Sequence, residues 1–522
     1  MNGFRRILIA NRGEIAVRIQ RTCRMLGIET VVLYTQDDQN SLHVRLADQC
    51  IQLVSLEDFT NPKLILKIAR ETGSDAIHPG YGFLAERVDF IRECEAAGIC
   101  FIGPPAAIVE SALDKIATLE KARQAGFPVV EHSQRCFDSL IYEDLAAEAS
   151  RLGYPLVIKS SRGGRGRGER LVLRPDQLRA SVLRAQAESQ LIYGQRSIYL
   201  EKAILPAHQI SVQILGDAFG QRVHLGEREG SVLLGNQKLF VESPAPSLKP
   251  GLRKNLWDAA LALAGLFDLQ NATSVEFIMD DSGRFYFTEV KTRIQIEHPL
   301  TEMITRLDLV QEQIRLAAGE RLGYRQNVIQ LNGWAVECRI TAENPWTGFL
   351  PSPGRLRALR LPGGPEVRVD TFLYQGCEIS SEYDSLIAKL AAWAPERETS
   401  LRRARRALDE FKLSGIPTNI PLLQILFSLP EVISGDYDTN LKIPSMIIDS
   451  PIQANVDNYS DELPENQEIS RDSGGMTQDY LTERDLAVAA AIYYQRRNQS
   501  TFQIVPERLN TGWHRNSRRF PV

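Results

Sequence analysis

The residues best placed to do chemistry lie in the stretch EFIMDDSGRFYFTEVKTRIQIEHP, from Glu276 to Pro299. Two runs, Val275 to Met279 and Arg284 to Thr288, flank Asp280-Asp281-Ser282-Gly283, which is the pattern of a β-hairpin. With Ser282-Gly283 as a two-residue loop, antiparallel register sets Glu276 opposite Glu289, with Cβ atoms about 5 Å apart. Facing carboxylates repel. Such a pair persists when a divalent cation or a basic side chain sits between them, and hard cations such as Mg²⁺ or Mn²⁺ choose carboxylate oxygens. Beyond Glu289, alternation predicts that Lys291, Arg293, Gln295 and Glu297 share one face of an extended segment, with Val290, Thr292, Ile294 and Ile296 on the other. The same pattern also suits a half-buried strand with a solvated outer face.

A second group of residues reads as a phosphate cradle. Tyr154 to Lys159 is an apolar strand ending in a lysine, followed by a loop containing Gly163, Gly164, Gly166 and Gly168. Glycines let backbone N–H groups close around phosphate oxygens, and lysine supplies the countercharge. Arg162 and Arg165 interrupt the loop, and arginine restricts positive φ and adds bulk.

Elements that could position these groups follow from periodicity. Ile7 to Ala10, Thr30 to Tyr34, Ala76 to His78 and Cys100 to Ile102 read as strands. Helical spacing after Gly13, near Pro62 to Thr72 and near Phe90 to Ala97 implies a parallel sheet covered by helices. Ser111 to Gly126 reads as one helix. His78 to Leu84 is a glycine-rich loop after a strand, where open sheets place ligands. From Asp449 to Asp479 eight acids stand against one base, the composition of a flexible linker. Thr482 to Asp485 resembles a capping box, ahead of a short helix carrying Leu486, Ala489, Ala490 and Tyr493. A chain of 522 residues with 43% apolar content suggests three or four domains. A net charge of −4 with interspersed signs gives no reason to expect nucleic acid. Seven cysteines without a C-x-x-C pair, no apolar run of about 18 residues and no signal-peptide pattern point to a cytoplasmic protein that does not enter membranes.

TEVKTRIQIEHPLTEMITRLDLV closely resembles the signature of biotin carboxylases, the ATP-grasp enzymes of acyl-CoA and pyruvate carboxylases. ANRGEIAVRI, HPGYGFLAE, Pro351-Ser352-Pro353-Gly354 and Tyr383 to Lys389 extend the resemblance from Ile7 to about Ile443. It implies an α/β fold. An N-terminal parallel domain (1–113) precedes an ATP-grasp domain (114–330) whose mobile lid spans about 131–203, then a C-terminal biotin carboxylase domain (331–445) and a tail (446–522). The implied activity is ATP-dependent carboxylation of biotin on a carrier protein from bicarbonate, as the first half-reaction of an acetyl-CoA or acyl-CoA carboxylase. Implied partners are a biotin carboxyl carrier protein, carboxyltransferase subunits and a second copy of the chain. Lys115, Lys159, the four loop glycines, Glu201 and Lys202 would bind nucleotide, and Glu276 and Glu289 the metal. Glu297 would be the base toward bicarbonate, with Lys238, Arg293 and Gln295 orienting it and Arg339 beside the biotin ureido oxygen.

Several positions depart from the family pattern. Gln209 and Asn236 stand where it has histidine, Leu233 where it has glutamine, Arg162 and Arg165 where it has glycine, and Lys291 where it has a metal-coordinating asparagine. His208, one position out of phase, reads as structural. Lys291 is expected to replace part of the metal charge. A catalytically impaired paralogue acting as a binding or structural subunit is the alternative expectation.

Overall fold

Five parallel strands open the chain, in the order Gln49–Gln52, Glu29–Tyr34, Arg6–Ile9, Ala76–His78, Cys100–Phe101. The computed structural model describes residues 3–137, 142–161, 170–193, 195–234 and 237–441. Arg162, Gly163, Gly164, Arg165, Gly166, Gly168, Asn236 and everything from 442 onward, including the acidic stretch and the expected helix, lie outside the described residues.

The central strand is apolar on both faces because helices cover both. Ile7 and Ile9 pack with Ile15 and Ile19 of helix Gly13–Leu26 and with Leu309 of helix Leu309–Ala317. Leu8 packs instead with Ile65 and Phe90, from helices Pro62–Glu71 and Val88–Ala97. Strand Gln49–Gln52 was not legible from periodicity, since it lies at the sheet edge with three of its four residues exposed. The helix expected from Ser111 to Gly126 is two helices, Ala106–Leu113 and Lys115–Gln124. Asp114 separates them: its backbone is extended and its carboxylate caps the second helix by accepting from the N–H of Ala117 at 3.0 Å. That break puts Lys115 at a helix start rather than mid-helix.

Leu156–Ser160 is the centre of a three-stranded antiparallel sheet, between Arg170–Val172 and Ile198–Lys202. Leu156, Ile158 and Leu200 bury their side chains with Ala149 and Val182 of the helices Tyr142–Leu152 and Pro175–Tyr193. A larger sheet of eight strands runs Phe285–Lys291, Asn271–Met279, His208–Gly216, Arg222–Glu229, Phe240–Ser243, Trp334–Thr341, Leu386–Ala394, Val367–Thr371. It passes residue 330 without a break, because Phe240–Ser243 pairs with Trp334–Thr341. The hairpin and Arg339 are therefore held by one continuous sheet.

All seven cysteines are unbridged. Among the described residues, no helix is long and apolar enough to cross a membrane.

Candidate active site

The hairpin forms and Glu276 faces Glu289, though not by a two-residue loop. Asp280 N–H donates to Arg284 O and Gly283 N–H to Asp280 O, both at 2.9 Å, so residues 281–283 make a three-residue turn with Gly283 at φ +81°. The extra residue shifts the pairing to Phe277 opposite Phe287 and Met279 opposite Phe285. A bulge beside Glu276 shifts it back. The two irregularities cancel, returning Glu276 to Glu289 and setting Ser274 opposite Lys291.

The expected extended face is corrected beyond Lys291, where the strand ends and the chain turns toward helix His298–Thr305. Arg293 leaves the row: its Nε lies 3.0 Å from Glu86 Oε2, and Glu86 also accepts from Thr292 N–H at 3.2 Å. Glu86 closes the HPGYGFLAE motif, so that loop reaches the site through this ion pair. Its position is set from behind, where Asn11 Nδ2 donates to Pro79 O (2.7 Å) and Tyr81 O (2.8 Å). Gln295 and Glu297 do converge on the centre. Gln295 Nε2 donates to Glu276 Oε1 at 2.8 Å; Glu297 Oε1 accepts from Lys238 Nζ at 2.7 Å, and Oε2 from Arg339 Nη2 at 3.0 Å.

Lys291 points inward and is 8% exposed, with Nζ 2.6 Å from Glu289 Oε1; Lys115 Nζ is 3.4 Å from Oε2. Burial opposes ionisation of Glu289, but Lys115, Lys291 and Lys159 outweigh it and hold the carboxyl far below its usual range. At Glu297 burial is likewise outweighed, by Lys238, Arg339 and Arg228. Both carboxylates are therefore charged at neutral pH.

The donor set fits a hard divalent cation such as Mg²⁺. Glu276 Oε1 accepts from Ser274 Oγ at 2.9 Å and from Gln295, while no hydrogen bond from a described residue reaches Oε2. Among the described residues no group of three or more acidic, histidine or cysteine side chains surrounds such an ion. Two protein carboxylates with the remaining positions left to water and phosphate oxygens is the usual Mg²⁺ arrangement.

On the three-stranded sheet, Lys159 Nζ lies 2.9 Å from Glu201 Oε2, and Tyr199 Oη donates to Glu201 Oε1 at 2.6 Å. Lys202 Nζ donates to the carbonyls of Gly153 (2.9 Å) and Tyr154 (2.8 Å), just past helix Tyr142–Leu152, so its ammonium caps that helix end. Lys238 sits on a short ladder with Leu233 opposite. Its stem lies against Gly230, where a Cβ would come within 2.7 Å of Cδ. Gln209 N–H donates to Ser231 Oγ at 3.0 Å. His208 Nδ1 lies 2.7 Å from Glu229 Oε1; burial opposes protonation, yet Glu229 raises the imidazole's pKa overall.

Sequence reasoning missed Arg228. It lies between Glu227 and Glu229 in strand Arg222–Glu229, and three consecutive charges read as a solvated edge, yet each is at most 1% exposed. Arg228 Nη1 donates to Gln213 Oε1 at 3.0 Å and Nη2 to Gln295 Oε1, fixing the amide that bridges to Glu276. Only the contacts reveal it.

Comparison with known proteins accounts for almost all of the described chain. Residues 3–109 match the biotin carboxylase N-terminal domain, 114–325 the carbamoyl-phosphate synthase L chain ATP binding domain, and 337–442 the biotin carboxylase C-terminal domain. Biotin carboxylase 1 of Bacillus subtilis is 42% identical over 440 residues, which is 84% of this chain and 97% of that one. The biotin carboxylase of Nostoc sp. is 42% identical over 441 residues, covering 84% and 98%. Among solved structures, the biotin carboxylase domain dimer of Hydrogenobacter thermophilus 2-oxoglutarate carboxylase, in complex with MgADP, ADP and bicarbonate, is similar with a TM-score of 0.81. It is 41% identical, covering 84% of this chain and 97% of that one. The biotin carboxylase of Campylobacter jejuni, in a β,γ-ATP complex, follows at a TM-score of 0.80 and 37% identity, covering 84% and 98%. With three consecutive domains matched in order and full-length relatives at this identity, the chain belongs to the biotin carboxylase family of ATP-dependent carboxylases.

Proposed function

We propose that this chain uses ATP and bicarbonate to carboxylate biotin on a biotin carboxyl carrier protein, as the first half-reaction of an acetyl-CoA or acyl-CoA carboxylase. The observation that carries the reading is Glu297 held between Lys238 and Arg339, with Gln295 linking this group to Glu276. A carboxylate between two cations, next to a facing carboxylate pair, suits a small anion entering beside a nucleotide.

Glu276 and Glu289 would hold Mg²⁺, which when bound supplies countercharge to the ATP phosphates. Lys115 and Lys159 add fixed positive charge beside the γ-phosphoryl as it passes to bicarbonate. Bicarbonate, itself an anion, competes with Glu297 for Lys238 and Arg339. As those cations turn to substrate, Glu297 regains proton affinity and takes the bicarbonate proton. The carboxyphosphate formed would break into CO₂ and phosphate; phosphate takes the biotin N1′ proton, N1′ bonds to CO₂, and Arg339 stays beside the ureido oxygen as negative charge develops there. Nucleotide roles for the loop glycines, Glu201 and Lys202 belong to the same reading, as do the divisions at about 113, 330 and 445.

The carrier protein and carboxyltransferase subunits are the proposed partners. A homodimer is proposed as well, since the Hydrogenobacter relative is described as a domain dimer. Nothing in the relatives favours the non-catalytic alternative. The test is ADP release by the purified chain with MgATP, bicarbonate and free biotin: release that requires bicarbonate and rises on adding biotin is expected, and release indifferent to bicarbonate overturns the reading.

A further inference from the structure

Lys389 is the most deeply buried amine near the site, with a side chain 0% exposed. It lies on strand Leu386–Ala394, directly opposite Arg339 on one side and Asp370 on the other. Two cations in register repel, and a buried ammonium costs several kcal/mol unless paired. Its acidic partners are Glu14, with Oε2 at 3.2 Å, and Asp370, with Oδ2 at 3.9 Å. Glu14 comes from helix Gly13–Leu26, beside the N-terminal sheet. The ammonium also lies over the Tyr81 ring, 5.8 Å from its centroid, and donates a hydrogen bond of 3.1 Å to the carbonyl of Ile296.

That carbonyl lies between Gln295 and Glu297, on the turn where the expected strand gives way to helix. Their side chains emerge on either side of it, one reaching Glu276 and Arg228, the other Lys238 and Arg339. A carbonyl gripped by a cation that is itself anchored to two other segments cannot rotate freely. We propose that Lys389 is a positioning residue: by holding Ile296 O while braced on Glu14 and Asp370, it fixes the angle at which Gln295 and Glu297 meet the substrates. Three stretches distant in sequence thus set the geometry of one turn. The effect expected from loosening it is on turnover rather than ATP affinity, because the turn lies on the bicarbonate side of the metal carboxylates.

This rests on the proposed reading of the site, so its test includes a measurement independent of turnover. Lys389→Met keeps most of the unbranched side chain without its charge, and Glu14→Gln keeps the lysine on Ile296. The double variant Glu14→Gln/Lys389→Met removes both charges together, should the single lysine variant fail to fold. Lys389→Met, or the double variant, is expected to lower kcat of bicarbonate-dependent ADP release about 10–100-fold with KM for ATP within about twofold. It is also expected to speed amide exchange across residues 295–300, while Glu14→Gln, which loosens one brace but keeps the lysine on Ile296, does both to a clearly smaller extent. Absent bicarbonate-dependent release in the unaltered chain overturns the functional reading alone, and the exchange comparison still decides the inference. Unchanged exchange in the lysine variants, unchanged kcat in a chain that turns over, or an equal loss in Glu14→Gln overturns the role of Lys389.

Discussion

Lys238 Nζ stands 2.7 Å from Glu297 Oε1, so the proposed base and the lysine proposed for its substrate form one ion pair within the protein. The pairing keeps Glu297 ionised but weakly basic, since Lys238, Arg339 and Arg228 stabilise its anion despite complete burial. A base silenced by its substrate's own binding groups is released as substrate engages them. On the proposed roles, proton abstraction is thereby tied to occupancy; the ion pair itself holds both side chains in place.

Arg339→Ala separates the bicarbonate step from the biotin step. Glu297 keeps Lys238 at Oε1 and the Arg228 charge behind it, so the bicarbonate side stays largely assembled. Biotin carboxylation is expected to fall at least about 100-fold, while bicarbonate-dependent ATP cleavage without biotin is kept within about tenfold. The two rates measured side by side check this; equal losses would remove Arg339 from the biotin step.

Gly230→Ala probes Lys238 without touching its charge. A Cβ there would lie 2.7 Å from Lys238 Cδ and 2.8 Å from Cε, so the flexible stem must move while the backbone need not. Stability is expected to change by less than about 1 kcal/mol, with kcat down about tenfold from the displaced ammonium. Thermal melting and steady-state kinetics on one preparation decide it, and unaltered kcat would mean that the lysine's position is not critical.

Much of this site was legible in the sequence because strand alternation and hairpin pairing are short-range rules. The facing of Glu276 and Glu289 was correct, although a three-residue turn and a bulge each shift the register and cancel. Alternation failed after Lys291, where Arg293 is drawn to Glu86, a partner no local rule supplies. Strand Gln49–Gln52 escaped because an exposed edge carries no burial pattern, and Arg228 because a buried guanidinium between two glutamates looks like surface until its partners are known. The parallel sheet was readable for the opposite reason, its central strands being apolar on both faces.

Glu337 gives the protein a pH-dependent stability. It is 0% exposed with neither oxygen hydrogen-bonded, and burial pushes its carboxyl up to about 8 against the pull of Lys389. Burial also raises Glu14, to about 7. The unfolded chain loses these protons near the ordinary glutamate value of about 4.3, whereas the folded chain keeps them. Their contribution is therefore fully present below that value and is lost as pH rises through about 7 and 8. Glu337→Gln holds no such proton and should flatten the decline by on the order of 2–4 kcal/mol between about pH 5 and pH 8.5. Urea unfolding at several pH values reads it out, and a parallel decline in both proteins would contradict it.

Lys291→Asn tests whether the chain carries part of its own metal charge. Lys291 Nζ lies 2.6 Å from Glu289 Oε1, and with three donors and no acceptor a charged lysine cannot ligate Mg²⁺. It can neutralise Glu289, and burial strengthens that effect by thinning the solvent between the charges. Each cation added by the protein lowers the electrostatic demand for one added from solution, so nucleotide binding by this chain should depend only weakly on free Mg²⁺. Asparagine removes the charge and presents a carbonyl oxygen, which restores both the demand and an oxygen able to meet it. The substitution is expected to strengthen Mg²⁺-dependent ATP binding about tenfold at saturating Mg²⁺ and to weaken binding without Mg²⁺ by a similar factor, since one unscreened charge near phosphate is worth roughly 1–2 kcal/mol. Calorimetric titration of ATP across a Mg²⁺ series, with and without chelator, gives both limits. An identical Mg²⁺ dependence in the two proteins would show that the ammonium serves only the hairpin.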